Sequence, residues 1–116
     1  ITHRPYAANM AKLSNGTISV IFVTQRTDLD ADGYAKAAAM MDELAAQQHG
    51  YIGIDSVRGA DGHGITVSYW ADEASAKAWR DHADHAAMRD AGRNRWYSDY
   101  SLHVAQVTRS YDWKKP

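Results

Sequence analysis

The order in which strand-like and helix-like periods alternate along this chain is the feature that most constrains its fold. Apolar or β-branched residues at every second position predict four strands, and apolar residues three and four apart predict two helical stretches. The strands are predicted at 17–25, 51–58, 64–70 and 102–111, and the helical stretches at 33–48 and 73–96, the second with a break near Asp84 or Gly92. This β-α-β-β-α-β order predicts a ferredoxin-like α+β fold, with a four-stranded antiparallel sheet and both helices on one face.

The connections between these elements define the domain boundaries. The glycine-rich turn at 59–62 is short enough to predict an antiparallel hairpin between the second and third strands. Residues 1–16 show no clean period and are predicted to form an extended arm. We therefore expect one domain over residues 17–112, followed by a solvated tail at 113–116.

Two helices can cover only one face of a four-stranded sheet, so the other face needs a partner or must contact water. If the helices cover the face that bears Val67 and Tyr69, then Trp70 points to the opposite face, together with Ile21 and Val23 of the first strand. A face that carries a tryptophan and aliphatic residues is suited to self-association. We therefore expect a homodimer in which two sheets pack face to face.

Composition excludes several classes of protein. The 116 residues include no cysteine, which excludes disulfides, thiolate nucleophiles, iron–sulfur clusters and cysteine-ligated zinc. A formal net charge of −1 gives no electrostatic basis for binding nucleic acid or an anionic membrane, and it suits a neutral aromatic ligand. No apolar run approaches the roughly 20 residues that span a bilayer, and the N-terminus lacks the order of a signal peptide. We therefore expect a cytoplasmic protein.

Three sequence motifs carry a resemblance to a known family. They are SYW at 68–70, AWRDHADH at 78–85 and GRNRWYSDY at 92–100. With these motifs, residues 17–112 closely resemble the antibiotic biosynthesis monooxygenase domain, which belongs to a superfamily of dimeric α+β barrels. The resemblance implies that fold and a homodimer. It also implies one of several activities, because the superfamily includes cofactor-free oxygenases of polycyclic aromatics, haem-degrading enzymes and members with no assigned activity.

The cofactor-free branch of this family oxidises electron-rich phenols or anthrones to quinones with molecular oxygen, without metal or flavin. Such a reaction needs a dry aromatic pocket, a base for the acidic substrate proton and donors for the resulting anion. The resemblance therefore implies a cofactor-independent monooxygenase that acts on a small aromatic or polycyclic phenolic molecule and uses oxygen as its co-substrate. No cofactor is predicted.

One segment of the second helical stretch supplies the residue types that this chemistry requires. His82, His85 and Arg89 follow one another at helical spacings of three and four, so they share one side of the helix. Histidine has an unperturbed pKa near 6.5 that suits proton abstraction, and a guanidinium suits an enolate or phenolate. We predict these three residues to be catalytic. The predicted substrate-binding residues are aromatic and lie in or beside the same segment: Tyr69, Trp70, Trp79, Trp96 and Tyr97.

Two other functions remain open at this stage. In the first, the chain is a non-catalytic dimer that binds a hydrophobic ligand or acts as a scaffold, and the histidines and Arg89 point to solvent. In the second, it binds or degrades haem. The haem-degrading pattern resembles this chain at Trp70 and Trp79, but its axial histidine falls on Arg89, and Thr24 and Gln25 stand where that pattern uses asparagine. His85 lies one helical turn before Arg89 on the same side and is the alternative axial ligand.

Possible metal motifs in the sequence are weak. Asp28, Asp30 and Asp32 match the opening of an EF-hand loop, but the bidentate acidic position falls on Ala39. Capping of the first helix explains these aspartates better. The spacing of His82 and His85 would need a third ligand brought in by folding. No metal site is predicted.

Overall fold

The computed structural model describes residues 2–4 and 13–116 and has the α+β, ferredoxin-like architecture that the periodicity predicts. Four antiparallel strands form the body of the sheet in the order β3-β4-β2-β5, and a short strand β1 extends it beside β3. The strands are β1 (Thr2–Arg4), β2 (Ile18–Arg26), β3 (Tyr51–Arg58), β4 (His63–Trp70) and β5 (Tyr97–Gln106). The helices are α1 (Ala31–Ala46), α2 (Glu73–Arg80) and α3 (Ala83–Ala91), and a π-helical turn at Gly92–Trp96 leads into β5.

The pairing of β2 with β4 shows how alternation separates the two faces of the sheet. Val20 lies opposite Ser68 and Phe22 opposite Thr66, and all four side chains line the cavity beneath the helices. Ile21, which lies opposite Val67, therefore belongs to the other face. No helix among the described residues packs on that second face, so it stays uncovered in one copy of the chain.

The predicted assignment of faces is wrong for Trp70. This side chain has no exposed surface and packs with Ile18, Ala45 and Ala76, so it lies beneath α1 and α2. Val67 and Tyr69 consequently occupy the uncovered face. The strand β4 carries bulky residues on both faces, so alternation alone does not show which face the helices cover. A register shift of one residue would exchange all the side chains of the strand between the two faces.

The other differences from the sequence-based expectations lie in the second half of the chain. The predicted helical stretch is two α-helices, separated at Asp81 and His82, close to the predicted break at Asp84. The second of them ends at Ala91, and the π-helical turn begins at Gly92, the other position at which a break is predicted. At the break between the two α-helices the amide of His82 donates a hydrogen bond to the carbonyl of Trp79 (3.1 Å), and this i to i+3 bond ends α2. The last strand begins at Tyr97, five residues before the predicted start at Leu102, because the π-helical turn delivers the chain directly to the sheet edge.

The N-terminal half agrees more closely with expectation. Asp30 caps α1 by accepting a hydrogen bond from the amide of Gly33 (3.2 Å), which is the role that the sequence predicts. Of the predicted arm, residues 2–4 are extended and pair with β3, whereas residues 1 and 5–12 lie outside the described part. No helix in the described residues is long and apolar enough to cross a membrane.

Candidate functional site

A cavity of about 860 Å³ separates the sheet from the helices, a size typical of small-molecule sites. Its floor is formed by side chains from the helix-covered face of the sheet, and its walls come from α1, α2, α3 and the π-helical turn. The apolar floor consists of Val20, Phe22, Ile54, Leu102 and Val104. The cavity exists because the closely packed core is small and gathers around Trp70, at one end of the sheet.

We call one end of the cavity the tryptophan–histidine end. It consists of Trp79, which stacks on the buried Trp70, and His85, which stacks on Trp79. The rings of Trp79 and His85 stack, with centroids 4.8 Å apart and planes within 14°. Trp79 also stacks on Trp70 at 6.1 Å. The break between α2 and α3 allows this arrangement, because it brings His85 back over the last turn of α2. Both Trp79 and His85 line the cavity.

One hydrogen bond fixes the tautomer of His85. Its Nδ1 lies 3.0 Å from the carbonyl oxygen of Trp79. Because a carbonyl only accepts, Nδ1 carries the proton, and the lone pair of the neutral ring lies on Nε2. Burial lowers the pKa of His85 below 6.5, and the nearby charges of Arg89 and His82 lower it further, against the opposing effect of the Trp79 carbonyl. His85 is therefore neutral at pH 7 and has a basic nitrogen.

The arginine–tyrosine end of the cavity is defined here by Arg26, Tyr34, Arg58 and Tyr97. Strands β2 and β3 lie on either side of β4 and both run antiparallel to it. Their last residues, Arg26 and Arg58, therefore lie at the same end of the sheet. The Arg26 guanidinium lies 4.1 Å from the centroid of the Tyr34 ring, and that of Arg58 lies 5.4 Å from it. Two positive charges thus flank one aromatic ring at the cavity wall.

Hydrogen bonds hold both guanidinium groups in place. Arg58 donates from Nη2 to the hydroxyl of Tyr34 (2.8 Å) and to Oγ1 of Thr24 (3.0 Å), and from Nη1 to the carbonyl of Gly62 (2.6 Å). Arg26 donates from Nη1 to the carbonyl of Trp96 (2.6 Å). All these acceptors are neutral, so neither charge is neutralised by them.

Tyr97 and Trp96 close this end from the side of the π-helical turn. Burial and the neighbouring Tyr34 raise the pKa of Tyr97, so its hydroxyl stays protonated at neutral pH and can donate a hydrogen bond. Trp96 is 5% exposed and donates from Nε1 to Oδ2 of Asp30 (3.2 Å), which ties the turn to the start of α1. The aspartate that caps α1 therefore also positions a cavity residue.

The structure brings together most, but not all, of the residues predicted for the site. The cavity is lined by Trp79, His85, Arg89, Trp96 and Tyr97. Trp70 lies beneath the wall, fully buried, with Nε1 donating to Oγ of Ser68 (2.9 Å). Tyr69 lies on the uncovered face and donates to Oδ2 of Asp55 (3.0 Å). His82 contacts Trp79 from outside the cavity lining, with ring centroids 5.7 Å apart.

Sequence reasoning missed Arg26, Tyr34 and Arg58. A signal for the two arginines was present, because alternation places Arg26 on the same face as Val20 and Phe22, and Arg58 two residues beyond Ser56 on the corresponding face of β3. An arginine on the helix-covered face of a strand indicates a polar site there. Tyr34 reads as an ordinary residue of the apolar helix face, and only the fold reveals its position between the two guanidinium groups.

No three histidine, aspartate or glutamate side chains within the described ranges converge closely enough to hold a metal ion. Arg89, at which the haem-degrading pattern has its axial histidine, lines the cavity but offers no metal-binding nitrogen. The polar and aromatic side chains that line the cavity include a neutral imidazole, six cations, two carboxylates, phenols and indoles.

A ferredoxin-like α+β domain with a deep cavity between helices and sheet defines the class of this protein, and comparison with known proteins defines its family. The family model described as antibiotic biosynthesis monooxygenase matches residues 18–91. The chain therefore belongs to the antibiotic biosynthesis monooxygenase family, and the matched residues include the motifs at 68–70 and 78–85.

Two relatives and one solved structure illustrate the range of this similarity. The chain is 45% identical over 91 residues to the uncharacterized protein YqjZ of Bacillus subtilis, covering 78% of this chain and 79% of that protein. It is 32% identical over 96 residues to a jasmonate monooxygenase of Pyricularia oryzae, covering 79% of this chain but only 44% of that protein. The fold matches SnoaB, a cofactor-independent oxygenase of Streptomyces nogalater, with a TM-score of 0.70, 11% identity and coverage of 81% and 95%.

Proposed function

We propose that this protein is a cofactor-independent monooxygenase that oxidises an aromatic or polycyclic phenolic molecule with molecular oxygen. The observation that carries the proposal is the position of His85, a neutral imidazole with its lone pair on Nε2, stacked on Trp79 at the wall of a cavity large enough for several fused rings. In this reaction the substrate supplies the electrons that reduce oxygen, so it must first lose a proton to a base. A base beside an aromatic surface meets that requirement.

The chemistry divides between the substrate and the protein. His85 takes a proton from an acidic C–H or O–H of the substrate, and the carbanion that results transfers electrons to O₂. A C–O bond forms, the O–O bond breaks, and for an anthrone the CH₂ group becomes C=O while the second oxygen atom leaves as water. Arg89 at the cavity wall stabilises negative charge on the enolate, and Trp79, Trp96 and Tyr97 give the substrate an aromatic wall.

The relatives support this reaction class. One relative carries the name of a monooxygenase, and the same fold occurs in an oxygenase described as independent of cofactors. The competing hypothesis of a non-catalytic ligand-binding dimer expects the histidines and Arg89 to point away from any cavity. His85 and Arg89 line the cavity, which favours the catalytic role.

We also propose a homodimer formed through the uncovered face of the sheet, as the family resemblance implies. This face carries Ile21, Val23 and Val67, with Val57 46% exposed and Ile65 39% exposed. A contiguous apolar strip of this kind is suited to a second copy of the same strip. Light scattering should give twice the chain mass for the protein and the mass of one chain for Ile65→Lys. A single-chain mass for the unaltered protein would contradict the proposal.

The oxygenase proposal is tested with chelator-treated protein and anthrone in air. We expect anthraquinone to form faster than in a blank without protein, with one O₂ consumed for each quinone. The matched variant His85→Gln keeps the size and polarity of the side chain but lacks the base, and it should reduce the rate to the blank. Absence of quinone above the blank across a panel of anthrones and hydroquinones would overturn the proposal.

A further inference from the structure

The charge of the cavity differs sharply from that of the whole chain. The chain as a whole carries a formal net charge of −1. The cavity is lined by six cationic side chains and two carboxylates: Arg26, Arg58, Lys77, Arg80, Arg89 and Arg93 against Asp42 and Glu73. The lining therefore carries an excess of positive charge that the overall balance of charge does not reveal. Such an excess favours a ligand with a negative group.

Two of these cations already have carboxylate partners. Lys77 pairs with Glu73 at 3.5 Å, and Arg80 pairs with Asp81 at 2.9 Å. Arg26 and Arg58, by contrast, form no ion pair with any carboxylate in the described residues, although both are half-buried. Removing a cation from water is costly unless an opposite charge accompanies it, so a pair of half-buried guanidinium groups with neutral partners indicates a place for an anion.

The geometry of the pair suits a planar anion. Arg58 uses three N–H donors on Tyr34, Thr24 and Gly62, and Arg26 uses one on Trp96. Since a guanidinium has five N–H donors, Arg58 has two more and Arg26 has four more. Tyr97 adds a protonated hydroxyl at the same end of the cavity. Carboxylates accept such donors in pairs, and Arg–carboxylate hydrogen bonds are among the strongest in proteins.

The two ends of the cavity are well separated. Val20 packs with Trp79 against the core around Trp70, and Arg26 lies six residues further along β2, which is about 20 Å along a strand. Between them the floor is apolar, formed by Phe22, Leu102 and Val104. An elongated ligand can therefore place an acidic group at the arginine–tyrosine end while its rings cross the apolar floor.

We infer that the substrate carries a carboxylate group, which Arg26 and Arg58 bind at the arginine–tyrosine end while the oxidisable ring extends toward Trp79 and His85. This inference rests on the proposed function, because it takes the cavity to be the substrate site. It narrows the substrate from aromatic phenols in general to aromatic acids. It also assigns Arg26 and Arg58 a role in substrate selection that is separate from proton removal.

A binding experiment without turnover tests this inference independently of the oxygenase activity. The probes are an anthraquinone carboxylate and the corresponding primary carboxamide, which have the same shape and cannot be oxidised by the proposed reaction. Affinities are measured by calorimetry or by quenching of tryptophan fluorescence. Hydrogen bonds to charged groups predict that the acid binds about 10-fold or more tightly than the amide.

The variants Arg58→Gln and Arg26→Gln should each reduce this preference for the acid to less than about 3-fold. Arg109→Gln, which alters an exposed arginine outside the cavity, should leave it unchanged. Circular dichroism melts report whether each variant folds. If a variant does not fold, the comparison of acid and amide affinities in the unaltered protein still tests the inference. Equal affinities for the two probes, or a preference that survives in both folded arginine variants, would overturn the inference. A clear preference without any quinone formation, either from anthrones or from an anthrone carboxylic acid, would instead contradict only the proposed oxygenase.

Discussion

The two ends of the cavity differ in how the chain builds them. The tryptophan–histidine end comes from one stretch of sequence, in which Trp79 and His85 lie six residues apart across the break between α2 and α3. The arginine–tyrosine end is assembled from the last residues of β2 and β3, one residue of α1 and the first residue of β5. A local motif reveals the first end, whereas only the pairing of distant strands reveals the second.

The two ends also differ in electrostatics, and the difference implies a division of labour. Burial keeps His85 neutral and basic by lowering its pKa. Arg26 and Arg58 remain charged and are held by neutral acceptors. A base and an anion-binding site have opposite needs, because the first must lack a proton and the second must keep all of its protons. Because the two ends are separated along the cavity, His85 can stay unprotonated as the base while Arg26 and Arg58 stay charged to bind an anion.

The largest expected effect is loss of turnover on removing the base. His85→Gln should lower kcat by about 10²–10⁴-fold, the usual contribution of a positioned general base, while substrate affinity changes by less than about 3-fold. Arg58→Gln should show the opposite pattern, with weaker binding of an acidic substrate and a smaller change in kcat. His82→Gln is the matched control, since His82 does not line the cavity. Equal losses in His82→Gln and His85→Gln would remove the distinction between the two histidines.

The next largest effect concerns the packing beneath the tryptophan–histidine end. Trp70→Ala should lower the free energy of unfolding by about 3–5 kcal/mol, because it leaves a large cavity among Ile18, Ala45 and Ala76. Denaturant unfolding measures this loss. Trp113 is 72% exposed in the tail, so Trp113→Ala should change stability by less than about 0.5 kcal/mol. A small effect at Trp70 would show that this end does not depend on the buried indole.

A smaller effect is expected in the pH dependence of kcat, which should report the protonation of His85 and not that of the arginines. His85 must be neutral to act as a base and has its pKa lowered by burial, so kcat should be constant above pH 6.5 and decline only at lower pH. The free energy of unfolding should change with pH in the same direction. The His85 ring binds a proton more readily in the unfolded chain than in the folded one. The stability associated with the neutral ring is therefore complete above pH 6.5 and is lost as the pH falls below that value. NMR titration of the His85 ring checks the direction, and a midpoint above pH 6.5 would contradict it.

Much of the fold could be predicted from the sequence because its strands and helices have clear periods. The strand β3 spans Tyr51–Arg58 as predicted, since a β-branched run ends at a glycine turn. The orientation of β4 could not be predicted, because Tyr69 and Trp70 are both large and aromatic and only contact with α2 decides which is covered. The start of β5 was obscured by the π-helical turn, whose residues continue the helical pattern as far as Trp96.

The same reasoning explains what the sequence indicates about the site. His85 and Arg89 are predicted because their spacing of four residues lies within α3, where the helical period holds. Trp79 is predicted as an aromatic residue beside them, and the break at Asp81 and His82 brings it against His85. Arg26 and Arg58 are 32 positions apart, and their proximity depends on the register of two strands with β4 between them. Tyr34 becomes informative only when α1 is placed over that edge of the sheet.

The most direct test of the division between the two ends is a crystal structure of the protein with a bound anthraquinone carboxylate. We expect the carboxylate oxygens to lie within about 3 Å of guanidinium nitrogens of Arg26 and Arg58, the distance of a charge-assisted hydrogen bond, with the rings extending toward Trp79 and His85. A carboxylate bound instead beside Trp79 and His85, or a ligand bound outside this cavity, would contradict the account.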